Sequence, residues 1–176
     1  MNRRAALVGA AAAVAAALGI RAQLGRGRGE QDDDAEPAAI DLWSLSFPGV
    51  EGAPVAMSGW RGKPLLLNFW ATWCAPCVVE MPLLDRFARE RSAAGWQVLA
   101  LAVDQPDPVR RFVAERNLRV PVALAGGAGL DLSRQLGNQK GGLPFTAAFD
   151  STGTKVHHHL GAVDAELLAK WVRSTR

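Results

Sequence analysis

Residues 64–70, "PLLLNFW", are apolar at every position except Asn68, and the run ends four residues before a Cys-x-x-Cys pair. A strand apolar along its whole length is buried on both faces, so other layers must cover the sheet above and below. That requirement excludes a one-sided antiparallel sheet and points to a layered α/β architecture. The sequence that follows continues the alternation. A helix is expected to begin near the cysteines, with Val78, Met81, Leu84, Phe87 and Ala88 at three- and four-residue spacing and Gly95 closing it.

Residues 96–103, "WQVLALAV", read as a second buried strand, and residues 108–117 as a helix that starts with proline and turns Arg110, Arg111, Glu115 and Arg116 outward. A short strand is expected over 120–124 and a short helix over 130–136, ending at Gly137. Two strands, 145–149 and 155–160, are joined by "DSTG", and an amphipathic helix over 164–173 ends the pattern. Ahead of all this, residues 42–47 and 54–57 suggest a β-hairpin across Gly49 and Gly52. The sum is an α/β domain with a partly parallel sheet and an antiparallel closing edge.

The domain accounts for residues 40–176. Residues 5–20, "AALVGAAAAVAAALGI", form an uncharged apolar run preceded by Arg3 and Arg4, the pattern of an export signal. Spanning a bilayer takes roughly 20 apolar residues, and this run is short and broken by Gly9 and Gly19. Residues 1–22 therefore read as a cleaved signal peptide or, if kept, a marginal membrane anchor. Arg3 and Arg4 resemble a twin-arginine signal in that pair alone, and an ordinary positively charged signal start is the simpler reading. No cysteine follows the run to carry a lipid. Residues 23–39 are mostly Gly, Arg, Asp and Glu with a single proline, too polar to bury a core, and read as a flexible linker.

The net charge of +3 does not signal nucleic acid. Arg3, Arg4, Arg21, Arg26 and Arg28 are offset by Glu30, Asp32, Asp33, Asp34 and Glu36, and the remaining excess is spread rather than gathered in a basic stripe. No nucleic-acid partner is expected. Two cysteines fall short of a tetrahedral zinc site. His157, His158 and His159 lie on an expected strand, where at most His157 and His159 share a face. No metal site is expected.

A cysteine at the first turn of a helix meets unpaired backbone amides and the positive end of the helix dipole, which favour thiolate over thiol. Cys74 takes that position if the helix starts at or just after it, and Pro76 suits a first turn, where its missing N–H is not needed. Cys77, one turn on, faces the same side. Cys74 then reads as an exposed nucleophile and Cys77 as a buried resolving thiol; packed core cysteines or a stable disulfide are the bland alternative.

The complete phrase "NFWATWCAPCVVEMP" resembles the active-site signature of thioredoxin-fold oxidoreductases, in their exported TlpA/ResA-like branch. The likeness continues through "GWRGKPLLLNFW", "LALAVD", "GLPFTAAFDSTG" and "LGAVDAELLAKWV", over about residues 40–173. It implies a thioredoxin-like fold with an N-terminal β-hairpin extension and a central β-α insertion. It also implies that Cys74 attacks the substrate disulfide and that Cys77 releases the mixed disulfide. Trp73 would flank the nucleophile at the substrate surface. Pro144 matches a proline held in cis opposite the cysteines, which leaves the backbone of Leu143 free to pair with an extended substrate segment. Glu80 matches an acidic residue associated with tuning the thiols. Asn68 stands where cytoplasmic thioredoxins carry a buried aspartate; an amide cannot take a proton, so Glu80 or water must.

The resemblance therefore implies a thiol:disulfide oxidoreductase, acting chiefly as a reductant on disulfides of extracytoplasmic proteins, for example in cytochrome c maturation. Its redox-active disulfide Cys74–Cys77 serves without any other cofactor. A membrane thiol would supply electrons to a monomer in the periplasm, held at the inner membrane if residues 5–20 remain. Two alternatives stay open. A peroxiredoxin-like thiol peroxidase is disfavoured because Thr72 lies two residues before Cys74 rather than three. An extracytoplasmic copper carrier would use Cys74, Cys77 and a histidine.

Overall fold

The computed structural model describes residues 41–175. The apolar run at 5–20 and the linker at 23–39 lie outside the described residues. Among the described residues no helix is long and apolar enough to cross a membrane.

Strand β1 (Ser46–Pro48) and β2 (Pro54–Ala56) form the expected hairpin as a separate two-stranded sheet. It is shorter than the apolar pattern suggests. Residues 42–44 turn as a 3-10 helix because the Asp41 carboxylate accepts the Trp43 N–H at 3.1 Å, and local capping wins over strand propensity there.

The main sheet has the order β5-β4-β3-β6-β7, built from β3 (Leu65–Trp70), β4 (Gln97–Ala102), β5 (Val122–Leu124), β6 (Phe145–Phe149) and β7 (Lys155–Leu160). Strands β3, β4 and β5 run parallel, whereas β6 and β7 pair antiparallel. All six residues of β3 are buried, as its composition demands. Leu66 and Trp70 face one core, which contains Met81 and Leu84 of α1 (Ala75–Arg91), Val109 of α2 (Pro106–Glu115), and Leu168 and Trp171 of α4 (Ala165–Ser174). Leu65, Leu67 and Phe69 face the other, with Leu132 of α3 (Ala128–Gln135), Leu42 and Met57.

Helix α2 begins two residues earlier than the sequence pattern suggests, because Pro106 as well as Pro108 fits a first turn. It ends at Glu115, and Asn117, at φ 48°, takes the chain out of helical geometry. Helix α2 leads to β5, which pairs on the outer side of β4. Gly49 of the hairpin bridges Ala123, so the hairpin meets that edge.

The segment leading into β5 is also tied to α1. Asp85, buried on that helix, accepts the backbone N–H groups of Arg119 and Val120 at 2.7 and 2.8 Å and pairs with Arg89. The buried face of α1 is Cys77, Glu80, Met81, Leu84, Asp85 and Phe87. It includes two acids that the apolar periodicity did not mark, while Val78 and Ala88 are only half-buried. Gly95, at φ 85°, turns the chain where a side chain would be strained.

Candidate active site

The pairing of Trp70 with Ala102, of Phe69 with Phe145 and of Phe145 with Leu160 brings five connections to one end of the sheet. These are the residues after β3, β4, β5 and β7 and those before β6. Clefts at the carboxyl ends of parallel strands are where open α/β sheets usually bind ligands. The cysteine motif and Pro144 meet at this end.

Cys74 is the N-cap of α1, with extended backbone and no side-chain cap bond. Its sulfur is bonded to Cys77, the Cα atoms being 5.3 Å apart. The helix places Cys77 in the core at 0% exposure, and Cys74 shows only 6%. The order of accessibility follows the sequence reading, but the nucleophile is a nearly covered sulfur rather than an exposed one. Its neighbours in the chain are exposed: Trp73 at 69%, together with Ala75 and Pro76. Together they form an exposed apolar patch next to the disulfide in the chain. Trp73 is exposed directly before Cys74.

The Leu143–Pro144 bond is cis. Pro144 is buried, and half-buried Leu143 packs against both cores, including the one that holds the cysteines. Glu80 is 3% exposed. Its Oε1 accepts from Asn68 Nδ2 and its Oε2 from the Val163 backbone N–H, each at 2.8 Å. Burial pushes the carboxyl up from 4.5 to about 7, against the opposing pull of the Val163 and Asn68 hydrogen bonds. This carboxyl, poised near neutrality, lies one helical turn beyond Cys77. Asn68 also donates to Thr146 Oγ1 at 3.0 Å, forming a buried polar group that spans β3, α1 and β6.

Asp104, directly after β4, was not singled out from the sequence. Its Oδ2 accepts from Thr72 N at 2.8 Å and Thr72 Oγ1 at 2.5 Å, and its Oδ1 accepts from Gln105 N at 2.7 Å. This clasp fixes the loop before Cys74 and occupies the Thr72 hydroxyl. Replacing Asp104 with alanine is expected to cost about 1–3 kcal/mol in urea denaturation, the range for a charged group satisfying such donors. Unchanged stability in Asp104→Ala would show that the clasp does not hold the loop.

The three histidines divide between faces. His157 stacks on Trp171 at 5.5 Å and lies 2.9 Å from Ser174 Oγ, whereas His158 meets the Phe145 ring at 5.9 Å. Among the described residues no group of three or more His, Cys, Asp or Glu side chains is placed to hold a metal ion.

Comparison with known proteins agrees with this arrangement. Residues 30–170 match the family model described as Redoxin. The chain is 31% identical over 125 residues to the thiol-disulfide oxidoreductase ResA of Bacillus thuringiensis strain Al Hakam, covering 70% of both chains. A solved structure described as a thiol:disulfide interchange protein DsbE of Chlorobium tepidum matches 74% of this chain and 91% of its own, at 26% identity and a TM-score of 0.65. StoA of Bacillus subtilis shares the fold, with a TM-score of 0.60 at 20% identity over 73% of this chain and 95% of its own.

Proposed function

Because the chain belongs to the Redoxin family, as a thioredoxin-like thiol-disulfide oxidoreductase of the ResA type, we propose that it reduces disulfides in extracytoplasmic proteins through Cys74 and Cys77. The observation that carries this reading is the bonded cysteine pair at the start of α1 with the buried Glu80 carboxyl one turn behind it.

In the reduced enzyme the Cys74 thiolate, favoured by the helix start, attacks one sulfur of a substrate disulfide and expels the other as thiolate. Cys77 then gives its proton to Glu80 and attacks the Cys74 sulfur. The Cys74–Cys77 disulfide forms, the mixed disulfide breaks, and the second substrate sulfur leaves as thiolate. The substrate gains two electrons, the cysteine pair loses two, and the proton from Glu80 ends on a substrate thiol. No cofactor beyond the dithiol takes part.

Trp73 and Leu143 supply the docking surface, with the Leu143 backbone pairing an extended substrate segment. The apolar run at 5–20 supports export and, if kept, anchoring at the periplasmic face of the inner membrane. Outside the cytosol a monomeric reductant needs its own electron supply, which a membrane thiol provides. Apocytochrome c is a fitting substrate.

Direction follows from potential. Dithiols of this superfamily range from about −270 to about −120 mV. Equilibration with glutathione buffers is expected to give a value between about −270 and −200 mV, in the range of thioredoxin and the glutaredoxins. A value above about −150 mV, near the strongly oxidising end, would make the protein an oxidant instead.

A further inference from the structure

Glu80 is held by two N–H donors, one on each oxygen. This arrangement suits a carboxylate and conflicts with a carboxylic acid, whose O–H would point at a donor. Yet a group that takes a proton from Cys77 must spend part of each cycle as the acid. The Val163 N–H belongs to the backbone and cannot become an acceptor. Asn68 can.

Its amide faces Glu80 and Thr146 with Nδ2, while Oδ1 is buried without a hydrogen-bond partner. Turned over, the amide would present Oδ1, with two lone pairs, to the same two neighbours. The Thr146 hydroxyl, which accepts from Nδ2 in the present arrangement, can rotate to donate. We propose that Asn68 is a two-state positioning residue: its amide donates to Glu80 as carboxylate and flips to accept from Glu80 as acid, the Thr146 hydroxyl reversing its role in step.

The proton then resides on Oε1, because Oε2 stays with Val163. The unpartnered Oδ1 belongs to the ionised state, and it becomes the acceptor for the other. A buried aspartate at position 68 could not serve this way, since it offers no donor to a carboxylate and adds a second negative charge beside it. The inference rests on the proposed role of Glu80 as proton acceptor, but its structural content can be read without any substrate.

The titratable groups around Glu80 are few. Cys77 shares its helix, and in the oxidised protein it is locked in the disulfide. His159 lies opposite Thr146 on β7. Asp164 follows Val163, but it is exposed and caps α4 by accepting from Leu167 N at 2.8 Å.

The test is side-chain NMR on the oxidised protein. The Asn68 amide resonances should move with the same midpoint as the Glu80 carboxyl carbon, near 7. The cross-relaxation between the Asn68 NH2 protons and the Thr146 methyl should be present above that midpoint and lost below it. Glu80→Gln supplies the decisive control, because Val163 must bond the Gln carbonyl and the Gln NH2 then faces Asn68. In that variant the flipped amide should persist at every pH, with the Thr146 contact absent throughout. A contact retained in Glu80→Gln, or Asn68 resonances that still titrate there through His159 or Asp164, would overturn the proposal. A failure of disulfide reduction by the wild type would count against the proposed function alone, leaving these spectra to stand or fall separately.

Discussion

Cys77→Ser is expected to attack substrate once and stop. Cys74 remains at the helix start and can still form the mixed disulfide, but no thiol one turn on can resolve it. Reduction of a model protein disulfide should show a burst equal to the enzyme present, and a covalent enzyme–substrate adduct should be visible on a non-reducing gel. Steady turnover should fall by at least about a thousandfold, the scale on which loss of a covalent step is felt. Cys74→Ser should lose the burst as well, because the remaining cysteine is wholly buried. Multiple turnover retained by Cys77→Ser would mean that Cys77 plays no part in release.

Glu80→Gln is the second change with a large effect, on both pH dependence and rate. In the folded protein the Glu80 carboxyl titrates at about 7, and in the unfolded chain near 4.5. The folded state therefore holds this proton more tightly. The stability it contributes is fully present below pH 4.5 and disappears as pH rises through about 7. At about 1.4 kcal/mol per pH unit, the gap corresponds to roughly 3 kcal/mol. Urea denaturation of the oxidised wild type at pH 4.5 and pH 8 should therefore differ by roughly that much more than the same pair of measurements on Glu80→Gln. Parallel profiles would show that burial does not hold the proton.

The same variant should slow release of the mixed disulfide by roughly a hundredfold or more, the usual worth of a general base. Single-turnover quenching reads that step, with wild-type attack by Cys74 as the internal reference. An unchanged release rate would transfer the proton's destination from Glu80 to solvent.

The cysteine pair, its place at a helix start, the buried strand before it and the antiparallel closing edge were legible because each is local. Glu80 and Pro144 were legible only as parts of phrases that resemble a known signature; on its own Glu80 looks like a surface charge on a helix. The partners of these residues were not legible. Asp104 reaches Thr72 across 32 positions, and the second donor to Glu80 is the backbone of Val163, which any residue type could provide. Nor could periodicity foresee that Cys74 would be almost covered, since that depends on how neighbouring loops close over the strand ends. The place of β5 at the sheet edge is likewise a matter of packing, because its three residues carry too little pattern to name a neighbour.

Asp85 carries a consequence for how the molecule opens. Its two backbone partners stand 34 and 35 positions along the chain, so a hydrogen-bonded cross-link joins the middle of the active-site helix to the segment leading into β5. Freeing the Arg119 and Val120 amides leaves the buried Asp85 without two of its donors, a cost that also falls on α1. Opening of the edge strand and opening of the helix that bears the cysteines are thereby coupled through Asp85. Thermal breathing at the margin of the sheet is felt at the redox helix, and anything that stiffens one stiffens the other.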